Sequence, residues 1–379
     1  MPGPDRAASS SVALPMSAAV GMTPMAEAKK TAVAGAAATA VFFVSALGVI
    51  PTAALMGKAT EELAARSGPG IGGLLNVTFG NAPEIIIALF ALGEGLQEVV
   101  KASLVGSILG NTLLVLGAAA FAGGIGKDHQ TFNRTAATAQ AAMLLLAVAA
   151  LVMPAVFELS VGRGLPPPGS EAIDYDAKVE HLSLIVAIIL MLTYVAGLLF
   201  SLRTHRDLFN PPEEKEEGEG EGAPWSVRRS VIMLAIAGVA VGVMSEILVG
   251  SISDAAKSIG LSEFFIGVIV VAIVGNAAEH WVAVYVAMKN KMDLAVNIAV
   301  GSAAQIALFA IPLLVMLSFV IGDFPMPLVF NGFELAGMIL AVIIANHVTN
   351  EGETTWFEGL ELLAVYVVLG VAFYFAGSS

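Results

Sequence analysis

Two glutamates lie inside long apolar stretches of the sequence, where a charged side chain is costly. Glu84 is in the run GNAPEIIIAL that begins at Gly80, and Glu279 holds the same place in GNAAEHWVAV, which begins at Gly275. A carboxylate at the centre of a membrane-spanning helix costs several kcal/mol, roughly 2.5 or more on insertion scales. Both residues therefore need a chemical reason, and binding of a cation or a proton supplies one.

The neighbours of these carboxylates offer more oxygen ligands. Each glutamate has an asparagine three residues before it, on the same helix face. A serine with an amide three or four residues later follows on the next apolar segment of each half. These six side chains are Asn81, Asn276, Ser107, Asn111, Ser302 and Gln305. Together with the two glutamates they form a hard-cation set, and Ca²⁺ takes about six to eight oxygens. Hydrogen bonding between helices is the alternative role for the amides and hydroxyls.

Backbone groups near Glu84 extend this set. Pro83 has no N–H, so the carbonyl of Phe79 loses its helical partner and is expected to face an ion or water. Gly80 and Gly275 permit close approach of the backbone. The second half has Ala278 in place of the proline, which predicts a site without strict symmetry.

The two glutamate motifs belong to an internal repeat. An offset of 195 residues, the distance in sequence from Glu84 to Glu279, also pairs the neighbouring glycines, asparagines and alanines and, further on, the two Gly-Ser pairs. With five membrane crossings in each half, the second half enters the membrane from the opposite side. Such inverted repeats are typical of secondary transporters, whose ion site lies at the repeat interface near the midplane.

Composition identifies the medium. The 379 residues are 57% hydrophobic and 13% charged, with a mean hydropathy of +0.84, whereas soluble domains carry roughly 25% charged residues. We predict an all-α polytopic membrane protein of about ten transmembrane helices in two inverted five-helix repeats. The predicted segments are 38–57, 71–93, 102–125, 135–156, 182–201, 231–252, 265–287, 294–317, 331–347 and 359–376. The absence of cysteine excludes disulfides and thiolate sites, and the charge of −13 argues against a nucleic-acid partner.

The chain divides into four regions. Residues 1–37 are predicted to be a disordered tail, with a cleaved leader as the alternative; 38–201 form the first repeat, 202–230 an acidic linker and 231–379 the second repeat. The linker side holds eleven Lys and Arg residues against seven on the other, which predicts a cytoplasmic linker and both termini outside.

Electrostatics suggests how such a site works. Two facing carboxylates without a metal favour proton binding, because burial and mutual repulsion both oppose the doubly charged state. A divalent cation neutralises the same pair directly. Mutually exclusive occupancy by Ca²⁺ or protons, with a costly empty state, is the logic of an antiporter. This function needs no catalytic residue and no resident cofactor.

Several segments resemble the calcium/proton exchanger family of the calcium/cation antiporter superfamily. They are GGLLNVTFGNAPE, GSILGNTLLVLG, LSEFFIGVIVVAIVGNAAEH, VGSAAQIALF and NEGETTWFEGLELLAVY, and the resemblance covers about residues 38–376. It implies a transporter that exports or sequesters Ca²⁺ with a proton gradient, with Glu84 and Glu279 as the central sites. The acidic run from Glu213 to Glu221 looks like the family's calcium-collecting segment. The membrane is then the inner membrane of a prokaryote or a vacuolar membrane of a eukaryote.

Two departures from related families bear on the prediction. Members of this family commonly have one more N-terminal helix, which the sequence does not predict here. Sodium/calcium exchangers usually place Asp or Asn four residues after the second serine, whereas this chain has Ile306 there and Gln305 one step earlier. That difference favours proton over sodium coupling, with sodium/calcium or broader divalent exchange as the alternative.

Other readings stay open at this stage. A cation channel also uses paired glutamates, but usually through oligomer symmetry. An intramembrane metallohydrolase is the enzyme alternative, but the sequence lacks the H-E-x-x-H motif of such enzymes. A homo-oligomer is compatible with the sequence. His280 lies about 100° around the helix from Glu279 and is expected to pack elsewhere, and Glu246 is either a gating or proton-path residue or an interfacial one. For Glu334, snorkelling or interhelical bonding is favoured.

Overall fold

The structure is a computed structural model that describes residues 24–170, 175–201, 225–322 and 324–377. Residues 1–23 of the predicted tail and 202–224 of the acidic linker lie outside the described residues. Eleven helices make up most of the described part. They are α1 Pro24–Gly80, α2 Ala82–Gly93, α3 Gln97–Gly124, α4 Arg134–Ser160, α5 Ala177–Leu199, α6 Val227–Gly250, α7 Ile252–Ile259, α8 Glu263–Met288, α9 Met292–Ser318, α10 Gly332–Glu351 and α11 Trp356–Gly377.

The predicted all-α membrane architecture is confirmed. Within the described residues, nine helices are long and apolar enough to cross a membrane, and the bent pair Leu74–Gly80 and Ala82–Gly93 brings the number to ten. The ends also agree closely: the segment predicted at 135–156 is Arg134–Ser160, and that predicted at 331–347 is Gly332–Glu351. In lipid there is no water to bond the backbone N–H and C=O groups. An apolar run of this length therefore forms a helix, because a helix satisfies these groups within the segment.

The predicted boundary between the N-terminal tail and the first helix, at residue 37, is wrong. α1 begins at Pro24, so residues 24–37 are helical rather than part of a disordered tail. The stretch is rich in Ala and Lys, which are good helix formers. Within α1, a bend near Gly72 lies between the parts Gly35–Ser67 and Leu74–Gly80, and a Cβ on Gly72 would lie 2.5 Å from the carbonyl oxygen of Ala64. Only glycine fits this close approach, and it separates the first predicted span from the second.

The helix ends are defined by side-chain caps. Asn133, Asp176 and Ser226 accept hydrogen bonds from backbone N–H groups in the first turns of α4, α5 and α6. Asn331 and Glu334 form a reciprocal capping box at the start of α10. These caps satisfy donors that have no intrahelical partner, so they fix where each span starts.

Two faces of the helical bundle are named here by the loops on them. The linker face holds the end of α5 and the start of α6. It also holds a small antiparallel sheet in which β1, Gln130–Thr131, pairs with β2, Glu353–Thr354. The far face holds the loops after α2, α4, α7 and α9. The two innermost spans are α3 and α9, in which 83% and 78% of the residues of an apolar 18-residue stretch are buried, whereas in α6 this share is 22%.

Both innermost spans contain a π-helical segment that the sequence pattern did not reveal. The segment is Gly110–Val115 in α3 and Ile306–Ala310 in α9. Each follows the serine of its Gly-Ser pair, and the C-terminal ends differ by the same 195 residues as the glutamates. One-turn π-segments inside α-helices often occur at functional sites. The repeat is therefore present in the backbone as well as in the side chains.

Candidate functional site

The two glutamates face each other's repeat across the middle of the bundle. A Cβ built on Gly275 would lie 3.5 Å from Oε1 of Glu84, and one built on Gly80 would lie 3.6 Å from Oε1 of Glu279. Each carboxylate thus contacts the glycine four residues before its repeat partner. At Gly275 a Cβ would also lie 3.3 Å from Cγ of Glu84, which is a tight contact, whereas the 3.6 Å contact at Gly80 is an ordinary van der Waals distance.

The predicted amide and hydroxyl ligands contact one another around these carboxylates. Asn276 Nδ2 donates to Ser107 Oγ at 2.9 Å, and Asn111 Nδ2 approaches Asn276 Oδ1 at 3.5 Å. Asn81 Nδ2 donates to Gln305 Oε1 at 2.7 Å. These bonds join residues far apart in the sequence, so they bring the two repeats together at one place.

The arrangement is not symmetric. Ser302 Oγ donates to Glu279 Oε2 at 2.8 Å, whereas its repeat partner Ser107 accepts from an asparagine instead of bonding Glu84. Glu84 is 7% exposed, while Glu279 is half-buried. The two carboxylates therefore lie in different environments.

Several buried oxygens in the cluster have no hydrogen-bond partner within the described part of the chain. They are Glu84 Oε2, Asn81 Oδ1 and Asn111 Oδ1. A small cavity lies beside Glu84 and is lined by Ser103, Ser107 and Gly275 among others. Leaving such oxygens unpaired is unfavourable, and a hard cation is a ligand that satisfies carboxylate and amide oxygens together.

The structure also places the weaker candidates. Phe79 lies just before the break at Asn81, where α1 ends, and Pro83 lies in the first turn of α2, where its missing N–H costs little. The ring of His280 lies 3.8 Å from a Cβ built on Gly110, at the start of the π-segment, so it packs beside the cluster. Glu246 is exposed on α6 and makes no hydrogen bond to the cluster among the described residues.

Two residues near the cluster were not singled out from the sequence. Ser103 lines the cavity one turn before Ser107, and Glu61 on α1 is close enough to act electrostatically on Glu279. Neither is repeated at the offset of 195, where Ile298 and Ala256 stand. Within the described residues, no group of three His, Cys, Asp or Glu side chains is placed to hold a metal ion. The cluster thus consists of two carboxylates supplemented by neutral oxygens.

Comparison with known proteins places these features in a family. The model of the sodium/calcium exchanger protein family matches residues 37–203 and 229–375. A protein of Bacillus subtilis named Ca(2+)/H(+) antiporter ChaA is 47% identical over 337 residues, which cover 88% of this chain and 92% of that protein. The vacuolar calcium ion transporter of Schizosaccharomyces pombe is 39% identical, with 88% and 79% covered.

Solved structures agree in fold. The structure of native YfkE superposes with a TM-score of 0.75 at 41% identity, covering 91% of this chain and 97% of that one. An H⁺/Ca²⁺ exchanger CAX superposes with a TM-score of 0.65 at 15% identity over 93% of this chain and 92% of that chain, which shows a shared fold. The multi-pass membrane architecture is therefore common to all of them.

Proposed function

The chain belongs to the sodium/calcium exchanger protein family, and on that premise we propose that it is a secondary active antiporter that exchanges Ca²⁺ for H⁺ by alternating access. The observation that carries this proposal is the reciprocal packing of Glu84 on Gly275 and Glu279 on Gly80. It supports one shared site at the repeat interface rather than two separate ones.

The proposed cycle follows from the charges of that site. With Ca²⁺ bound, the two carboxylates are neutralised and the amide and hydroxyl oxygens complete the coordination. When Ca²⁺ leaves, protons on the carboxylates take its place, because two uncompensated charges in a buried site are costly. Either loaded form permits the conformational change, and the empty charged form opposes it. Transport in one direction is thereby linked to transport in the other.

Ca²⁺ and H⁺ are the substrates in this proposal, and the cycle requires no enzymatic step and no resident cofactor. Asn81, Asn276, Ser107, Asn111, Ser302 and Gln305 are the proposed neutral ligands. The acidic linker is proposed to face the cytoplasm. A homo-oligomer is compatible with this cycle but is not needed for it, since one chain holds both halves of the site.

The coupling ion is tested by flux. Purified protein in liposomes with an imposed pH gradient is expected to take up radioactive Ca²⁺ equally well with and without sodium. The physical reason is that buried Ile306 stands where sodium/calcium exchangers usually have an oxygen ligand. An absolute requirement for sodium would contradict proton coupling and favour sodium/calcium exchange. Ca²⁺ flux that depends neither on the pH gradient nor on sodium would indicate a channel.

The asymmetry of the two serines gives a second test. Ser302→Ala removes the hydroxyl that donates to Glu279, and we expect the apparent affinity for Ca²⁺ to fall by about tenfold, as for loss of a hydrogen bond to a charged group. Ser107→Ala removes a bond between neutral groups and is expected to cost about threefold. Uptake measured over a range of Ca²⁺ concentrations compares them, and equal effects would argue against the asymmetric site.

A further inference from the structure

A second cavity lies at the far face, away from the paired glutamates. It is enclosed by the first turn of α3, by Pro166, Ser170 and Tyr175 between α4 and α5, and by the start of α10. Its lining includes Gln97, Glu98, Lys101, Ser170, Tyr175 and Glu334. None of these residues belongs to the proposed transport site, and none contributes to the family motifs.

Glu334 is the unusual member of this lining. Its side chain is 2% exposed, and its Oε2 accepts the backbone N–H of Asn331 at 2.8 Å in the capping box. Its Oε1 has no hydrogen-bond partner within the described residues. The ammonium of Lys101 donates instead to the carbonyl oxygen of Val329 at 2.9 Å. A deeply buried carboxylate thus presents an oxygen whose negative charge is not neutralised by a direct contact, which is costly unless a ligand meets it.

Tyr175 also lines the cavity, and its hydroxyl has no hydrogen-bond partner in the described part of the chain. Burial, and then the charges of Glu158, Glu334 and Glu98, raise its pKa to about 12. The hydroxyl therefore stays protonated and neutral at physiological pH, and its oxygen keeps lone pairs for a cation. Ser170 Oγ donates to Pro167 O at 2.7 Å, which likewise leaves the lone pairs of its oxygen on the lining.

The charges around the cavity do not balance. Glu98 and Glu334 line it, and Glu158 acts on Tyr175 from α4. The fourth carboxylate is Asp176, which pairs with Arg163 at 2.9 Å, while Arg163 also lies 3.7 Å from Glu158. Lys178 also acts electrostatically on Asp176, so the cations near Glu158 and Asp176 are Arg163 and Lys178. In the lining itself, Glu98 also accepts a hydrogen bond from the backbone N–H of Gly169. Among the described lining residues, two carboxylates face the single ammonium of Lys101, which leaves one negative charge for a bound cation to neutralise.

We propose that this far-face cavity is a second, non-transport site for a divalent cation such as Ca²⁺. The carboxylates of Glu334 and Glu98 are its charged ligands, and the hydroxyl oxygens of Tyr175 and Ser170 are its neutral ligands, a hard-oxygen set of the kind that Ca²⁺ prefers. Lys101 is a tethered cation that competes for the same carboxylates. The site faces the side on which exported Ca²⁺ accumulates under the proposed function, yet its occupancy does not depend on transport.

Terbium luminescence tests the site directly, because Tb³⁺ is a hard trivalent ion whose emission is excited by a nearby tyrosine. The protein is the full chain carrying Glu84→Gln and Glu279→Gln, so the proposed transport site lacks its charges and failure of the two proposals is distinguishable. We expect saturable tyrosine-excited emission that Ca²⁺ displaces and that Tyr175→Phe removes. Tyr285→Phe, a tyrosine on α8 at the linker face, is the matched control and is expected to retain it.

Two further variants separate a binding site from a structural role. Glu334→Gln keeps the capping box, because glutamine serves at that position as well, and is expected to weaken Tb³⁺ by about tenfold. Lys101→Met removes the competing cation and is expected to tighten binding by severalfold, a gain that mere damage to the fold does not produce. Glu263→Gln, a glutamate in the first turn of α8 on the same face, is expected to change nothing.

Three results would contradict the proposed cation site. Emission that survives Tyr175→Phe, or an affinity that is the same in Glu334→Gln and Glu263→Gln, would overturn the proposal and leave the cavity as a hydrated pocket. Weaker binding in Lys101→Met would also contradict it. Any Tb³⁺ bound by the six glutamates of the linker is common to all the variants, so it does not affect the differences between them.

Discussion

Replacing either glutamate by glutamine is expected to abolish exchange. In Glu84→Gln or Glu279→Gln the shared site loses one of its two charges, and losing a charged ligand from a buried site costs on the order of 3 kcal/mol, about 100-fold in affinity. The substitution also removes a group that carries a proton in the return step. Proton-driven uptake of radioactive Ca²⁺ into liposomes is therefore expected to fall by at least about 100-fold in each variant.

The matched control for this experiment is Glu353→Gln, which makes the same chemical change at an exposed residue of β2 on the linker face. It is expected to transport like the unmodified protein. Uptake that persists in both Glu84→Gln and Glu279→Gln would show that the carboxylates do not form the transport site, even if the chain still exchanged Ca²⁺ for H⁺.

A second large effect is expected at Gly106, where α3 crosses α8. A methyl group on this glycine would overlap the carbonyl oxygen of Val268 and lie 2.8 Å from Cβ of Ala272. Backbone cannot yield as a flexible side chain does, so Gly106→Ala is expected to destabilise the protein by about 3 kcal/mol or more. Thermal unfolding in detergent, followed by size-exclusion chromatography, measures the loss.

The repeat supplies the control for that substitution. Gly301 is the partner of Gly106 at the offset of 195, but a Cβ there would meet only the side chains of Asn297 and Gln140, each at 3.4 Å. Gly301→Ala is therefore expected to change the unfolding temperature only slightly. Equal destabilisation in the two variants would contradict the close backbone crossing at Gly106.

Much of this architecture follows from local properties of the sequence. Spans such as Arg134–Ser160 are visible because a long apolar run in lipid has to be helical. The pairing of Glu84 with Glu279 was predictable because the two residues occupy equivalent positions of the internal repeat. Ser302 bonds Glu279 and Ser107 lines the cavity beside Glu84, while the role of these residues as ligands stays a prediction.

Other features depend on contacts between distant residues. The bond from Asn81 to Gln305 joins positions 224 residues apart, and no local pattern indicates which amide donates. The π-segment at Gly110–Val115 leaves no mark in hydropathy. The helical residues 24–37 were assigned to a tail because they precede the first apolar run of membrane-spanning length, which was predicted to begin at residue 38. Glu334 was interpreted as an interhelical or snorkelling residue, since sequence does not reveal a cavity between three separate segments.

Competition between Ca²⁺ and protons for one pair of carboxylates is the core of the proposed cycle. Its most direct test is the number of protons released when Ca²⁺ is added to purified protein in a weakly buffered solution, in the unmodified chain and in the Glu84→Gln, Glu279→Gln double variant. The unmodified protein is expected to release protons as it binds Ca²⁺, and its Ca²⁺ affinity is expected to fall as the pH falls. The double variant is expected to lack this component of proton release. Proton release that is the same in both proteins would contradict it.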